Sequence, residues 1–153
     1  MATQIVDAMK TVVDGLHTKI GQLTQGDSVI VERYSRKPEG INERGQYSIC
    51  IYPVEVVPTP VTSRSDYYTI RISVMIMYIM ETQTTASEPS LEDQYGDFLD
   101  KVNEIYDGIH HLEIGHTTVA LGTIQFPEVR IVNETVFSSN IEMEYNVYRS
   151  TNR

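Results

Sequence analysis

The stretch Leu91–Leu112, LEDQYGDFLDKVNEIYDGIHHL, decides how this chain folds, because its two faces say opposite things. Leu91, Tyr95, Phe98, Val102, Ile105, Ile109 and Leu112 recur at four- and three-residue steps, which places them on one stripe of an α-helix. Asp93, Asp97, Asp100, Glu104 and Asp107 follow the same spacing on the opposite stripe. Carboxylates at helical neighbour spacing repel one another by a few tenths of a kcal/mol per pair, and Lys101 alone lies close enough in sequence to relieve them. Ser90 is a good N-cap, with Asp93 in the capping-box position. The spacing therefore predicts a helix that buries one side and offers an anionic ridge on the other.

Upstream, residues 3–24 predict a first amphipathic helix, with Ile5, Val6, Met9, Val12, Val13, Leu16, Ile20 and Leu23 on one face and Gly26 as its stop. Val29–Tyr34 is a short β-branched run, followed by a polar loop, Arg36–Gln46. Tyr47–Val57 reads as a strand in which Pro53 implies an edge position or a bulge. Val56–Asp66, with Pro58 and Pro60, reads as a second loop. The clearest strand is Tyr67–Glu81: Ile70, Ile72, Val74, Ile76, Tyr78 and Met80 point one way and Thr69, Arg71, Ser73, Met75, Met77 and Ile79 the other. That second set turns apolar toward its end, so cover on both faces is expected there. Beyond the long helix, Thr118–Phe126, Val129–Val132 and Asn140–Arg149 read as strands. Strands interrupted by two one-sided helices predict a single α+β domain over residues 1–153: a central antiparallel or mixed β-sheet with two helices packed on it.

At 153 residues the chain can bury roughly 70% of its unfolded surface. Its net charge of −9 is unevenly spread. Residues 1–76 hold eight acidic and eight basic side chains, and residues 77–153 hold 13 acidic and four basic, which is the whole imbalance. Binding nucleic acid by phosphate neutralisation needs clustered Lys and Arg, so this balance argues against it, but not against a surface past which nucleic acid slides without sticking. The lone Cys50 has no internal disulfide partner, and the strand around it suggests a small buried hydrophobe in a reducing compartment. No stretch has the length of a membrane span, and the first ten residues lack a signal-peptide pattern. A protein that does not leave its cell by secretion is expected.

Chemistry-bearing clusters are few. His110, His111, Glu113 and His116 have metal-ligand residue types, but adjacent His residues at a helix end diverge, and the helix dipole favours His there without any metal. The acidic ridge reads as a solvated helix face, as a divalent-cation site lacking any EF-hand spacing, or as the wall of a negatively charged channel in an oligomer. Arg36, Lys37 and Arg44, together with Arg33, are interleaved with Glu32, Glu39 and Glu43 around the first loop; a mixed-charge loop of this kind is most often simply solvated, and can equally set register at an interface. No nucleophile elbow, Gly-rich phosphate loop or His–Glu helix motif occurs, so no catalytic residue, metal ligand or cofactor is assigned.

Three local features carry a resemblance. The Ile5–Leu23 helix leads at once into the Val29–Tyr34 strand; the long strand Tyr67–Glu81 is followed by a polar linker and the Leu91–Leu112 helix; and after that helix come Thr117–Phe126 and a closing strand, Ile141–Tyr148, ending in Tyr148-Arg149. This order resembles the tail terminator and tail-completion proteins of long-tailed bacteriophages, small α+β proteins that form a hexameric ring on the end of the tail tube. The resemblance implies a non-enzymatic virion structural protein of the tail or neck, assembled in the host cytoplasm. Its partners would be further copies of itself, the tail tube protein and the head–tail connector. Genomic DNA would pass without specific binding, and no membrane is involved. It further implies that Asp93, Asp97, Asp100, Glu104 and Asp107 face the lumen, and that the loops Arg36–Gln46 and Val56–Asp66 meet the tube or neighbouring subunits. Head–tail stopper and adaptor proteins share this joint and stand as the near alternative. A small acidic protein-binding module and a metal-dependent enzyme using His110, His111 and His116 are the alternatives from other classes.

Overall fold

The computed structural model describes residues 5–26, 29–34, 46–62, 65–79, 90–110, 112, 118–131 and 135–150. In chain order they form α1 (Ile5–Leu23), β1 (Val29–Arg33), β2 (Tyr47–Thr62), β3 (Ser65–Ile79), α2 (Leu91–Ile109), β4 (Thr118–Ile131) and β5 (Thr135–Ser150). The strands make one sheet in the order β1-β2-β3-β5-β4. β1 and β2 run parallel; every other neighbouring pair is antiparallel. A parallel pair cannot be joined by a tight hairpin and needs a connection of about a dozen residues or more; Arg33 and Tyr47 are far enough apart in sequence for one. The fold is thus α+β, as the one-sided helices and strands predict, and of the antiparallel and mixed alternatives the sheet is mixed.

Register explains the core. Tyr47, Ile49 and Ile51 of β2 stand opposite Tyr78, Ile76 and Val74 of β3, which stand opposite Phe137, Ser139 and Ile141 of β5. Since side chains alternate across a strand, these residues, with Ile70, Ile72, Met143 and Tyr145, share one face. Against it α1 buries Val12, Val13, Leu16 and Ile20, and α2 buries Phe98, Val102, Ile105 and Ile109. Tyr47, Tyr78, Tyr95, Phe98 and Phe137 form an aromatic cluster there, with Tyr95 edge-on to Phe137 at 5.3 Å. Such pairs contribute about 0.5–1.5 kcal/mol beyond the area they bury.

The ends follow local chemistry. Gly26, with φ of +88°, turns the chain out of α1, a conformation that suits a residue without Cβ. The Ser90 hydroxyl accepts from the Asp93 N–H at 3.1 Å and caps α2. α2 closes at Ile109 with His110 as C-cap, three residues earlier than the apolar stripe to Leu112 implies. The His110 ring stacks on Tyr106 at 4.8 Å, and its Nδ1 donates to the Tyr106 carbonyl at 3.1 Å.

Two readings of the β segments need correction. Of the proposed loop Val56–Asp66, the described residues are strand: β2 continues to Thr62, β3 begins at Ser65, and the two pair antiparallel; residues 63–64 lie outside the described residues. Prolines are tolerated because β1 covers β2 only from Tyr47 to Ile51, leaving an edge beyond. Pro53 does adjoin a bulge, between Pro53 and Glu55, as its residue type implied. Likewise β4 runs unbroken from Thr118 to Ile131, absorbing Pro127 in a register shift between Gln125 and Glu128, and β5 begins at Thr135 rather than Asn140. Among the described residues no helix is long and apolar enough to cross a membrane.

Candidate functional site

The surface of α2 is the first candidate. Glu92, Asp93, Asp97, Asp100, Glu104 and Asp107 are all exposed, so the acidic stripe lies on the solvent side as its spacing dictates. Lys101 is mostly covered, within 3.4 Å of Glu104 and 5.8 Å from the centre of the Tyr47 ring, so its charge is held at the margin of the ridge. Asn103 Nδ2 donates to Asp107 at 3.3 Å. Leu99, 39% exposed, sets an apolar side chain within the same acidic surface.

The sheet face opposite the helices is the second candidate. In a row across three strands, Arg71 pairs with Glu55 of β2 and, through Nε at 3.0 Å, with Glu144 of β5. Thr69 donates to Asn146 at 3.2 Å, and Ser73 donates to Asn140. Toward the other end this face turns apolar: Met75 and Met77 are half-buried, and Ile79 and Cys50 are buried. Partly exposed ion pairs contribute about 0–1 kcal/mol each, so the Arg71 row fixes side-chain positions more than it stabilises the sheet. Cys50 is the small buried hydrophobe expected, and burial, foremost, raises its thiol pKa, with Glu32 adding to the rise and the Ser48 hydroxyl opposing it.

A third cluster joins α1 to the end of β1. Asp14 accepts from Arg33 Nη1 at 2.6 Å and from the Tyr34 hydroxyl at 3.2 Å. Tyr34 stands at φ 62°, in the left-handed region, where its N–H donates to the Ile51 carbonyl at 2.6 Å. Slight burial and then the Asp14 carboxylate raise the Tyr34 phenol pKa. A bulky residue in this region is strained, and the Asp14 contacts hold it there.

Of the sequence-derived residues, the structure brings Asp93, Asp97, Asp100, Glu104 and Asp107 together on one exposed face. Arg36, Lys37 and Arg44 lie outside the described residues, as do His111, Glu113 and His116; His110 is engaged as the C-cap of α2. Among the described residues no group of three or more His, Cys, Asp or Glu is placed to hold a metal ion. Sequence reasoning missed buried Gln94, whose Oε1 accepts from the Tyr78 hydroxyl at 3.2 Å. Its position four residues before Phe98 puts it on the buried stripe, a signal masked by its polar side chain. The Asp14–Arg33–Tyr34 cluster has no local signature, because its residues lie about twenty positions apart.

No protein-family model matches this chain, and no curated protein is similar to it at a significant level.

Proposed function

We propose that this chain is a virion structural protein: a ring-forming tail terminator that caps the phage tail tube and joins it to the head connector. The observation that carries the reading is α2, a core-packed helix whose outer face presents six carboxylates with Lys101 held at their margin. Function has to be argued from such a surface rather than from fold class. A ring with this face inward has a lumen wall that repels phosphate, so the genome passes without being trapped. At physiological ionic strength the repulsion reaches about 8 Å, which is useful where DNA is forced past a wall at close range.

The subunit contact in such a ring is heterologous, one patch meeting a different patch until the ring closes. Arg36, Lys37 and Arg44 are the proposed cationic contribution to it. The far end of the β2–β3 hairpin takes the place of the loop as the element reaching the tube or a neighbour. In this reading the protein resides in the tail or neck of the virion and acts through assembly, without catalysis or cofactor.

The test is solution mass against concentration, with negative-stain imaging of the same samples, alone and with purified tail tubes. Closed rings with a central hole, or a cap on the tube end, are the expected result. Monomers that leave tube ends bare would refute the terminator and favour a small acidic binding module. Attachment to filled heads but not to tubes would assign the chain to the stopper or adaptor position.

A further inference from the structure

The two edges of the sheet differ in the backbone groups they offer. Tyr34 N–H donates to the Ile51 carbonyl, so the backbone groups of Ile51 face β1 and away from β3. The N–H and C=O of a strand residue share a side and alternate along the strand, so register carries this orientation across the sheet. Val74, opposite Ile51, directs its groups at β5; Ile141, opposite Val74, directs its own back at β3. Glu142 therefore faces β4, Thr123 opposite it faces β5, and Gly122 and Ile124 face outward. The same alternation turns Val119, Val129 and Ile131 outward.

At the other edge the outward positions of β2 beyond β1 are Pro53, Val56, Pro58 and Pro60, since their partners Ile72, Ile70, Tyr68 and Asp66 face β5. Three of these four carry no N–H. β1 itself is five residues long, and its outward Val31 carbonyl lies 3.2 Å from His17 Nε2 on α1. Prolines, short strands and capping side chains are the devices that keep a sheet edge from pairing. Over Thr118–Gln125 β4 is uncharged and free of proline, and its outward positions carry an N–H; its register shift there, between Val119 and Leu121, ends before Gly122. Among the described residues β4 pairs with β5 alone.

We propose that the outer edge of β4 pairs with β4 of a second copy of this chain, antiparallel about a twofold axis at Thr123. Gly122 and Ile124, both outward, then meet Ile124 and Gly122 of the other copy and exchange backbone hydrogen bonds. Glycine within a strand suits a place where another backbone comes close. Charge selects this surface for self-pairing: two α2 faces would set carboxylates against carboxylates, whereas Leu121–Gln125, which a twofold at Thr123 sets against itself, brings no charge to the contact. The blocked edge selects the partner strand, because β4 of one copy finds no row of free donors along β2 of another. This twofold contact is separate from a heterologous ring contact and does not rest on the terminator reading; where both form, rings stack in pairs.

The test is residue-level amide hydrogen exchange and solution mass over a wide range of concentration. A Gly122→Pro variant removes an outward donor while sparing the bonds to β5, as the β2 prolines do at their own edge. Protection of the Gly122 and Ile124 amides that rises with concentration, and about tenfold weaker self-association in the variant, are expected, because twofold symmetry removes the donor twice. Unprotected outward amides in wild-type protein at every concentration would overturn the proposal, and this arm needs no variant to fold. Protection that appears only with tail tubes would also overturn it, by assigning the edge to the tube protein. Rings without protection at Gly122 and Ile124 would sink this inference and leave the terminator reading standing; paired copies that never form rings would do the reverse.

Discussion

Replacing Asp100 with Lys should make the isolated protein more stable. Along α2 the carboxylates neighbour one another as Asp93/Asp97, Asp97/Asp100, Asp100/Glu104 and Glu104/Asp107, all at helical spacing and all exposed. Like charges so placed cost about 0.2–0.5 kcal/mol per pair, and opposite charges contribute a similar amount. Asp100 takes part in two of the four pairs. Asp100→Lys therefore removes two repulsions and adds two attractions, and Lys also has the better helix propensity. Lys placed before Glu104 is the weaker orientation of an ion pair, so the expected net gain is about 1 kcal/mol at low ionic strength. Urea unfolding, which leaves ionic strength free to vary, measures it as a midpoint raised by about 0.5 M with unchanged slope. In 1 M salt, where screening acts within about 3 Å, the charge–charge part of the gain should vanish and only the few tenths of a kcal/mol from helix propensity remain. A variant that is less stable, or equally stabilised at both salt concentrations, would refute the idea that the ridge is a set of mutually repelling carboxylates. If the ridge lines a lumen, the same substitution, extended to its neighbours, slows DNA ejection from assembled particles. A ridge that costs stability in the free chain is the expected signature of a surface kept for function.

Gly96 on the exposed side of α2 has open space around its missing Cβ, so Gly96→Ala should raise stability by about 1 kcal/mol, whereas Gly108→Ala sets its Cβ 2.3 Å from Leu23 Cδ1 of α1 and should yield no gain or a loss of about 1–2 kcal/mol. Parallel urea melts separate the two, and a gain at both positions would contradict the close helix crossing at Leu23. The Tyr145 hydroxyl is buried and has no hydrogen-bond partner among the described residues, and burial pushes its phenol pKa well above the usual value. Its folded pKa is raised, so its contribution is fully present below the unfolded pKa of about 10 and declines as pH rises above it. Tyr145→Phe should be as stable as wild type or up to about 1 kcal/mol more stable at pH 8, and should lose less stability between pH 8 and pH 11; a variant less stable at pH 8 would point to an unseen partner for the hydroxyl.

The sequence by itself determined the helices, the alternation of β3 and the acidic ridge, because each is written at a single local period. Ile70 to Tyr78 in steps of two, and Phe98 to Ile109 in steps of three and four, oblige one face to be buried whatever the partner. Ser90 and Gly26 mark boundaries through their own backbone chemistry, and these too were legible. Pairing was not. That β1 lies parallel to β2, that β5 inserts between β3 and β4, and that Val56–Thr62 is strand rather than loop depend on which chain runs alongside. The Pro58 and Pro60 residues that read as loop are compatible with a strand whose outward side has no pairing strand among the described residues, an edge that begins where β1 ends at Arg33. The Asp14–Arg33–Tyr34 cluster, the Glu55–Arg71–Glu144 row and the contrast between the β2 and β4 edges likewise arise only when distant segments meet. Local periodicity settles what each segment must bury, while hydrogen-bond partners across the sheet settle which surfaces are left to be used.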